Sequence, residues 1–440
     1  MTVLILNRGP LSLRPYPEWL HDYPDGLLLL ASEASLRAEG VSLPAAGEHY
    51  LHTESVPGYE QGAELWERAV RLHEQFGYQH LIACQERDLV IAGALRDHLG
   101  LAGQSEASAR AFRDKLEMKR QAAAGGIPVA AHAPIGTPDE LRDFAARHGF
   151  PLVVKPRDSS GSRGQQTLRS EAELAAFLAD QAAWQAAQGD IGMLAEEFVE
   201  GAMYHVDGVV VGGNLAAAWP STYLYRLADF HGEHRPRLDV ALDRDDPLGH
   251  RLMAALEQLL AVMPTPTDTT FHAEFFHTPD DRLVLCEVAS RNAGALVPIM
   301  LRLMYGVHFP AIWVRAQVGL PVPVPTDGSR VLPNQLAGEV TILKRRGLVR
   351  ALPEQQPPFP WVGRYDLRMS VGEWSPGPEA SADYLAGFAV GGADRAEVES
   401  RLRQLSEWFL AGLEVDADYL PAAAGLDGSA QGVSCTTAPA

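Results

Sequence analysis

Short apolar runs bounded by turn residues alternate with helical patterns through the first quarter of the chain. Val3 to Leu6 is apolar and is followed by Gly9-Pro10, which reads as a strand feeding a loop. Leu27 to Leu30 and His49 to His52 are further candidate strands. Between Gly62 and Phe76, Leu65, Val70 and Leu72 fall near helical spacing; His80 to Cys84 then reads as a strand and Leu89 to Leu99 as a helix. This alternation predicts a small parallel α/β unit over residues 1 to 108. No GxGxxG follows the first strand, so neither NAD nor FAD is assigned to it.

Ser108 to Ala124 predicts one charged helix, stopped by Gly125-Gly126 and followed by the extended dipeptide Ile127-Pro128. Pro138 to His148 predicts a helix ending at Gly149, and Pro151 to Lys155 a β-branched strand held extended by Pro156. A small polar loop, Asp158 to Gly164, leads to an alanine-rich helix over Ser170 to Gln188. Paired strands follow at Met193 to Val199, Tyr204 to Val211 and, after a Gly212-Gly213-Asn214 turn, Leu215 to Trp219. Leu224 to Leu242, rich in Arg and His, fits no element. A helix over Leu248 to Met263 precedes a strand pair, Thr270 to His277 and Arg282 to Ala289, around Pro279-Asp280-Asp281. Prolines recur from Pro321, a last helix spans Asp394 to Leu413, and the tail after Leu420 has a disordered composition. The expected units are 1–108, 109–190, 191–320 and 321–420, with a disordered tail over 421–440.

A length of 440 residues exceeds one compact core and suggests about three domains or subdomains. The hydrophobic fraction of 46% and charged fraction of 21% are those of a globular protein. The aliphatic run Leu27 to Ala31 falls far short of the ~20 residues of a membrane span, and Met1 to Leu6 has no basic region or cleavage site, so a cytoplasmic protein is expected. Cys84, Cys286 and Cys435 show neither zinc nor disulfide spacing. A net charge of -19 argues against nucleic acid as a partner. Small anions still bind where cations concentrate, which makes the four lysines, Lys115, Lys119, Lys155 and Lys344, informative.

The strongest chemical signal is the strand pair at 270–289. A four-residue turn closing Thr278 on Leu283 sets Glu274 opposite Glu287, and facing carboxylates repel unless one is protonated or a cation lies between them. Oxygen-only ligands favour Mg²⁺; two solvated carboxylates on a hairpin face are the alternative. Lys155 ends an apolar strand before Ser159-Ser160-Gly161-Ser162-Arg163-Gly164, a combination that suits a phosphate clamp and, taken alone, equally suits an ordinary surface turn. It is not a Walker A loop, since no GK[ST] follows the glycines. Glu196-Glu197-Phe198-Val199-Glu200-Gly201 offers main-chain groups and a carboxylate to a purine nucleoside, or is simply a strand end. Arg291 would set a planar cation beside the proposed metal, or form a surface salt bridge.

Taken in order, Asp114-Lys115, Gly126-Ile127-Pro128, Pro151 to Pro156, the Ser/Gly loop, Glu196 to Gly201, His272-Ala273-Glu274-Phe275 and Leu285-Cys286-Glu287-Val288 to Arg291 resemble the ATP-grasp superfamily over roughly residues 80 to 320. The resemblance is nearest to the amino-acid and peptide (carboxylate–amine) ligases, with biotin-carboxylase-like enzymes more distant. It implies an ATP-grasp fold of the α/β class, with a Rossmann-like N-terminal domain and a C-terminal accessory subdomain. By position it implies that Lys115 and Lys155 hold the phosphates of ATP, with Ser159, Ser160, Gly161, Ser162 and Gly164 folding over them. Glu196, Glu197, Phe198 and Val199 would form the adenine hinge, Glu274 and Glu287 would ligate Mg²⁺, and Arg291 would join Lys155 in catalysis. The sequence departs from the family pattern in three places. Ala289 stands where many members have a ligating Asn, leaving Asn292 as a substitute ligand; Met203 replaces a Glu, leaving Glu200 or His205 for the ribose; and Ala293-Gly294 replaces paired glycines. The implied activity is ATP-dependent joining of a small-molecule carboxylate to an amine through an acyl phosphate, with a homodimer left open. Acyl transfer to a carrier-protein thiol, carboxylation and non-catalytic nucleotide binding are the alternatives. Arg226 and the basic segment after it are candidates for a substrate carboxylate.

Overall fold

In the computed structural model, which describes residues 2–225, 235–353, 356–380 and 382–419, the apolar run Val3–Asn7 is buried at every position and forms strand β1. It pairs in parallel with β2 (Leu27–Ser32) and β4 (His80–Ala83), and β3 (Tyr50–Val56) completes the order β3-β2-β1-β4. Alternate residues of β1 enter two cores. Leu4 and Leu6 pack towards α3 (Ala63–Phe76) and α4 (Leu89–Leu99), while Val3 and Ile5 lie on the side of α1 (Tyr16–Trp19) and α2 (Glu33–Glu39). Burial on both faces explains why these strands read as continuous aliphatic runs. The strand expected at His49 to His52 continues to Val56, because β3 is an edge strand whose polar Thr53-Glu54-Ser55 carries no apolar signal.

The single charged helix expected over Ser108 to Ala124 is two, α5 (Glu106–Arg113) and α6 (Lys115–Ala124). Asp114 is extended, and its carboxylate accepts from the Leu116 amide to cap α6, so a side-chain hydrogen bond replaces a helical one. The alanine-rich helix breaks in the same way at Asp180, between α8 (Glu171–Ala179) and α9 (Gln181–Gln188). Around these, β5 (His132–Ile135), α7 (Pro138–His148), β6 (Leu152–Pro156), β7 (Gln166–Leu168) and β8 (Met193–Glu197) build an antiparallel sheet of order β5-β8-β6-β7.

The second large unit is an eight-stranded sheet. It contains β9 (Ala202–Val211), β10 (Asn214–Tyr223), β11 (Arg237–Ala241), β12 (Thr269–His277), β13 (Leu283–Ala289), β14 (Leu336–Leu343), β16 (Val362–Leu367) and β18 (Tyr384–Gly392), in the order β13-β12-β9-β10-β11-β14-β18-β16. One face carries α10 (Pro247–Val262) through Leu252, Leu256 and Leu259. The other packs on α11 (Val297–Tyr305), α12 (Phe309–Gln317) and α13 (Arg395–Gly412). A small sheet of β15 (Gly347–Ala351), β17 (Trp374–Ser375) and β19 (Glu414–Asp416) flanks it. Strands from beyond residue 320 therefore continue the sheet begun at 202, and the boundary expected at 320 falls between strands of one sheet. Part of the stretch expected to be irregular, Arg237–Ala241, is a fully buried strand. Arg226, the tail over 421–440 and Cys435 lie outside the described residues. Among the described residues no single helix is long and apolar enough to cross a membrane.

Candidate active site

The small antiparallel sheet and the large sheet face each other across a cavity of about 570 Å³. Val153, Lys155 and Thr167 line it from the small sheet, Glu274, Phe276 and Glu287 from the large one, and Lys115 and Lys119 from α6. Period-two alternation accounts for the strand residues: Leu152 and Val154 enter the core of the small sheet, which turns Val153 and Lys155 to the cavity. Lys115 and Lys119 are four apart on one helix and so share a face.

Three of the chain's four lysines thus converge, each on a carboxylate. Lys155 Nζ lies 3.0 Å and Lys119 Nζ 3.2 Å from Glu196, and Lys115 Nζ 3.2 Å from Glu287. Lys119 Nζ also donates to the Cys286 carbonyl at 2.9 Å. Burial would raise the Glu196 carboxyl, but the Lys119 and Lys155 ammonium groups outweigh it and hold it at about 2. Glu287 follows the same logic: burial is overcome by Lys115 and Lys155, and its carboxyl falls to about 2. For Lys155, burial opposes the charge and Glu196 prevails, so its ammonium is held more firmly than usual. Burial pushes the Cys286 thiol up to about 12, so it stays protonated and inert.

Glu274 and Glu287 are ladder partners between β12 and β13, as the sequence predicts, although by a different route. The turn is one residue tighter than expected: Thr278 closes on Arg282 rather than on Leu283, so His277 pairs with Leu283, a register that on its own would put Cys286 opposite Glu274. An extra residue in β13 restores the match: Leu285 pairs with Phe275, Cys286 bulges, and Glu287 returns opposite Glu274. Glu274 Oε1 accepts from Tyr223 Oη at 3.1 Å and His272 Nε2 at 3.2 Å, whereas its Oε2 accepts from no described residue. A free carboxylate oxygen facing a second carboxylate is an oxygen-only donor set, which suits Mg²⁺.

Ser159, Ser160, Gly161 and Ser162 line the cavity as expected, and Lys115 Nζ donates to the Ser159 carbonyl. Gly161 at φ 64° and Ser162 at φ 59° give the loop a tight left-handed turn. Glu196, Glu197, Phe198, Val199 and Glu200 run along the wall where β8 passes to β9. Four expected residues do not line the cavity. Gly164 packs instead against α9, where an added Cβ would lie 2.6 Å from the Ala186 carbonyl. His205 is fully buried beneath Tyr223, whose ring stacks on it at 4.5 Å, and both its nitrogens are taken by Asp207 and Asp239, so it cannot reach a ribose. Asn292 lies past the end of β13, where strand alternation no longer directs it to the cavity. Arg291 stands beside the cavity with its Nε on Glu86 at 2.9 Å and its Nη1 on the Asn292 carbonyl at 2.8 Å. Glu86 also binds Arg113 at 2.8 Å, so the loop after β4 helps fix the arginine. Burial raises the Glu86 carboxyl less than Arg291 and Arg113 lower it, and it stays ionised.

Lys119, Glu86, Tyr223 and His272 take part in the site, although the sequence assigns none of them a role. Lys119 has a legible signal in its four-residue spacing from Lys115, and His272 in its two-residue spacing from Glu274 on a strand. Glu86 has none, since its partner lies 205 positions away.

Residues 120–204 match the family profile of the ATP-grasp domain. Over 238 residues the chain is 24% identical to the L-arginine-specific L-amino acid ligase of Bacillus subtilis, which covers 52% of this chain and 55% of that one. The chain spans about half the length of the curated relatives it matches first. Among solved structures, the L-amino acid ligase from Bacillus licheniformis superposes with a TM-score of 0.73 at 15% identity, over 94% of this chain and 99% of that one. The biotin carboxylase domain of Hydrogenobacter thermophilus 2-oxoglutarate carboxylase, solved with MgADP and bicarbonate, superposes at 0.67 and 15% identity, over 94% and 90%. At these identities the likeness establishes the fold, which is that of the ATP-grasp ligases.

Proposed function

We propose that this chain, which belongs to the ATP-grasp superfamily, is an ATP-dependent ligase that joins a small carboxylate to an amine through an acyl phosphate. One observation carries the reading: three buried lysines and two facing acids meet on one cavity between two sheets. Before nucleotide arrives, Glu196 and Glu287 hold the ammonium groups of Lys119, Lys155 and Lys115 in place. Phosphate oxygens then meet cations already oriented, so little ordering remains to be done at binding.

In this reading the wall from Glu197 to Glu200 meets adenine and ribose, the loop from Ser159 to Ser162 covers the phosphates, and Lys115, Lys119 and Lys155 hold them. Glu274 and Glu287 would hold Mg²⁺, which supplies charge neutralisation when bound. The substrate carboxylate attacks the γ-phosphorus and ADP leaves; the amine then attacks the acyl carbon and phosphate departs. Lys155 and Arg291, the latter steadied by Glu86, would offset charge on the transferring phosphoryl group. The L-amino acid ligases among the similar proteins favour amino acids as carboxylate and amine. The same reading treats 1–108 as a working unit, places the protein in the cytoplasm with its ATP, and includes a homodimer, since the carboxylase-domain relative was crystallised as a dimer.

The test is release of ADP and phosphate from Mg-ATP against pairs of amino acids and simple acids, with mass analysis of the condensed product. ADP formation that requires both an acid and an amine supports the ligase; turnover with bicarbonate alone replaces it by a carboxylase.

A further inference from the structure

Behind Glu274, on the same face of the large sheet, lies a chain of buried ionisable side chains that nucleotide binding does not use. In the β12–β9 register Glu274 stands opposite His205, and His272 opposite Asp207. Acid and imidazole alternate across three strands. His272 Nε2 donates to Glu274 Oε1 at 3.2 Å and its Nδ1 to Asp207 Oδ1 at 2.9 Å; His205 Nδ1 donates to Asp207 Oδ2, and its Nε2 to Asp239 Oδ1 at 2.9 Å. Tyr223 lies across the chain, with its hydroxyl on Glu274 Oε1 at 3.1 Å and its ring on His205. His205, Asp207 and Asp239 are at most 1% exposed, and His272 is 7% exposed.

Apolar residues at these positions would stabilise the sheet at least as well as buried charges do. What the chain provides is direction. Two donors occupy one oxygen of Glu274, and Oε2 is left without a partner among the described residues. A carboxylate loaded in this way offers a metal one oxygen and resists turning to offer both. That distinction separates small divalent ions from large ones, since Mg²⁺ takes near-ideal octahedral single-oxygen ligands whereas Ca²⁺ accepts carboxylates two oxygens at a time.

We infer that His272 and Tyr223 are positioning residues that fix Glu274 as a one-oxygen ligand and so set the preference of the site for small divalent cations, with Asp207, His205 and Asp239 holding His272 in place. This rests on the reading of Glu274 and Glu287 as the metal acids. A competing arrangement exists, because ligand atoms of His205, Asp207 and His272 lie within 4.8 Å of one another and could enclose an ion themselves.

The experiment is a Mn²⁺ titration of the full chain in the presence of ADP, with free Mn²⁺ read by electron paramagnetic resonance and Ca²⁺ as competitor. It is run on the wild type, Tyr223→Phe, His272→Gln and Glu274→Gln, each checked for an unchanged thermal transition. Tyr223→Phe removes a single hydroxyl and guards against misfolding of the histidine variant. The expected result is Mn²⁺ binding weakened by about tenfold in Tyr223→Phe and His272→Gln. Ca²⁺ binding should change less, so the Mn²⁺ to Ca²⁺ ratio falls. A ratio equal to wild type in both folded variants overturns the inference while leaving the metal acids intact. Wild type that binds no Mn²⁺ with ADP, or binds it as well after Glu274→Gln, instead sinks the metal reading beneath it. Stoichiometric transition metal in the purified protein, lost in His205→Gln, would also overturn the inference by making the imidazoles ligands.

Discussion

Glu196→Gln keeps the shape of the side chain and removes the charge that joins two buried ammonium groups. Folding depresses this carboxyl from 4.5 to about 2, since Lys119 and Lys155 outweigh the effect of burial. At ~1.4 kcal/mol per pH unit the ionised form contributes about 3 kcal/mol. The sign follows from the direction. A depressed acid stabilises the fold fully above its unfolded value near 4.5, and the contribution is lost as pH falls towards 2. Wild type should therefore exceed Glu196→Gln by about 3 kcal/mol at pH 7, and that gap should roughly halve near pH 3, where the unfolded chain has taken up a proton on this acid and the folded one has not. Urea unfolding followed by tryptophan fluorescence at a series of pH values measures the gap directly. A difference under about 1 kcal/mol at pH 7, or one that stays constant down to pH 3, would refute the argument that the lysine pair holds Glu196 ionised.

Other perturbations probe the rest of the site. Lys119→Met loses the ammonium shared by Glu196 and the Cys286 carbonyl and should lower stability by about 2–3 kcal/mol; calorimetry should also show weaker ADP binding. Glu86→Gln frees Arg291 from its ionic partner and should cut kcat while the KM for ATP holds, because the arginine is asked to act on the transferring phosphoryl group; an unchanged kcat counts against that role. Gly164→Ala forces a Cβ to within 2.6 Å of the Ala186 carbonyl at a φ of +69° and should lower the thermal transition of the small antiparallel unit by a few degrees, for a cost of about 1–2 kcal/mol. A variant with an unchanged transition would show that the loop does not rest on α9.

Local physics makes much of the protein legible in its amino-acid pattern. Continuous aliphatic runs report strands buried on both faces, and Pro156, Gly149 and Asp394 mark element ends. Alternation along a hairpin predicts that Glu274 and Glu287 face each other. Side-chain capping at Asp114 and Asp180 is also encoded locally, but an acid inside a helical pattern reads as surface until its hydrogen bond is seen. The facing acids are reached through two departures that cancel, a tighter turn and a bulge at Cys286, and the pattern of side chains alone cannot count a bulge.

Residue types and the local faces they share are written in the order of amino acids: lysines four apart on a helix, acids on alternating strand positions, a Ser/Gly loop after the lysine that ends an apolar strand. Tertiary structure decided which of these met. Lys119 meets a carbonyl 167 positions away, Glu86 an arginine 205 positions away, and His272 an aspartate on a neighbouring strand 65 positions away. Such contacts follow from the order of strands in the large sheet and its closure against the small one. That order is fixed by burial summed over the whole chain, whereas periodicity and turn chemistry report only on neighbours within a few residues.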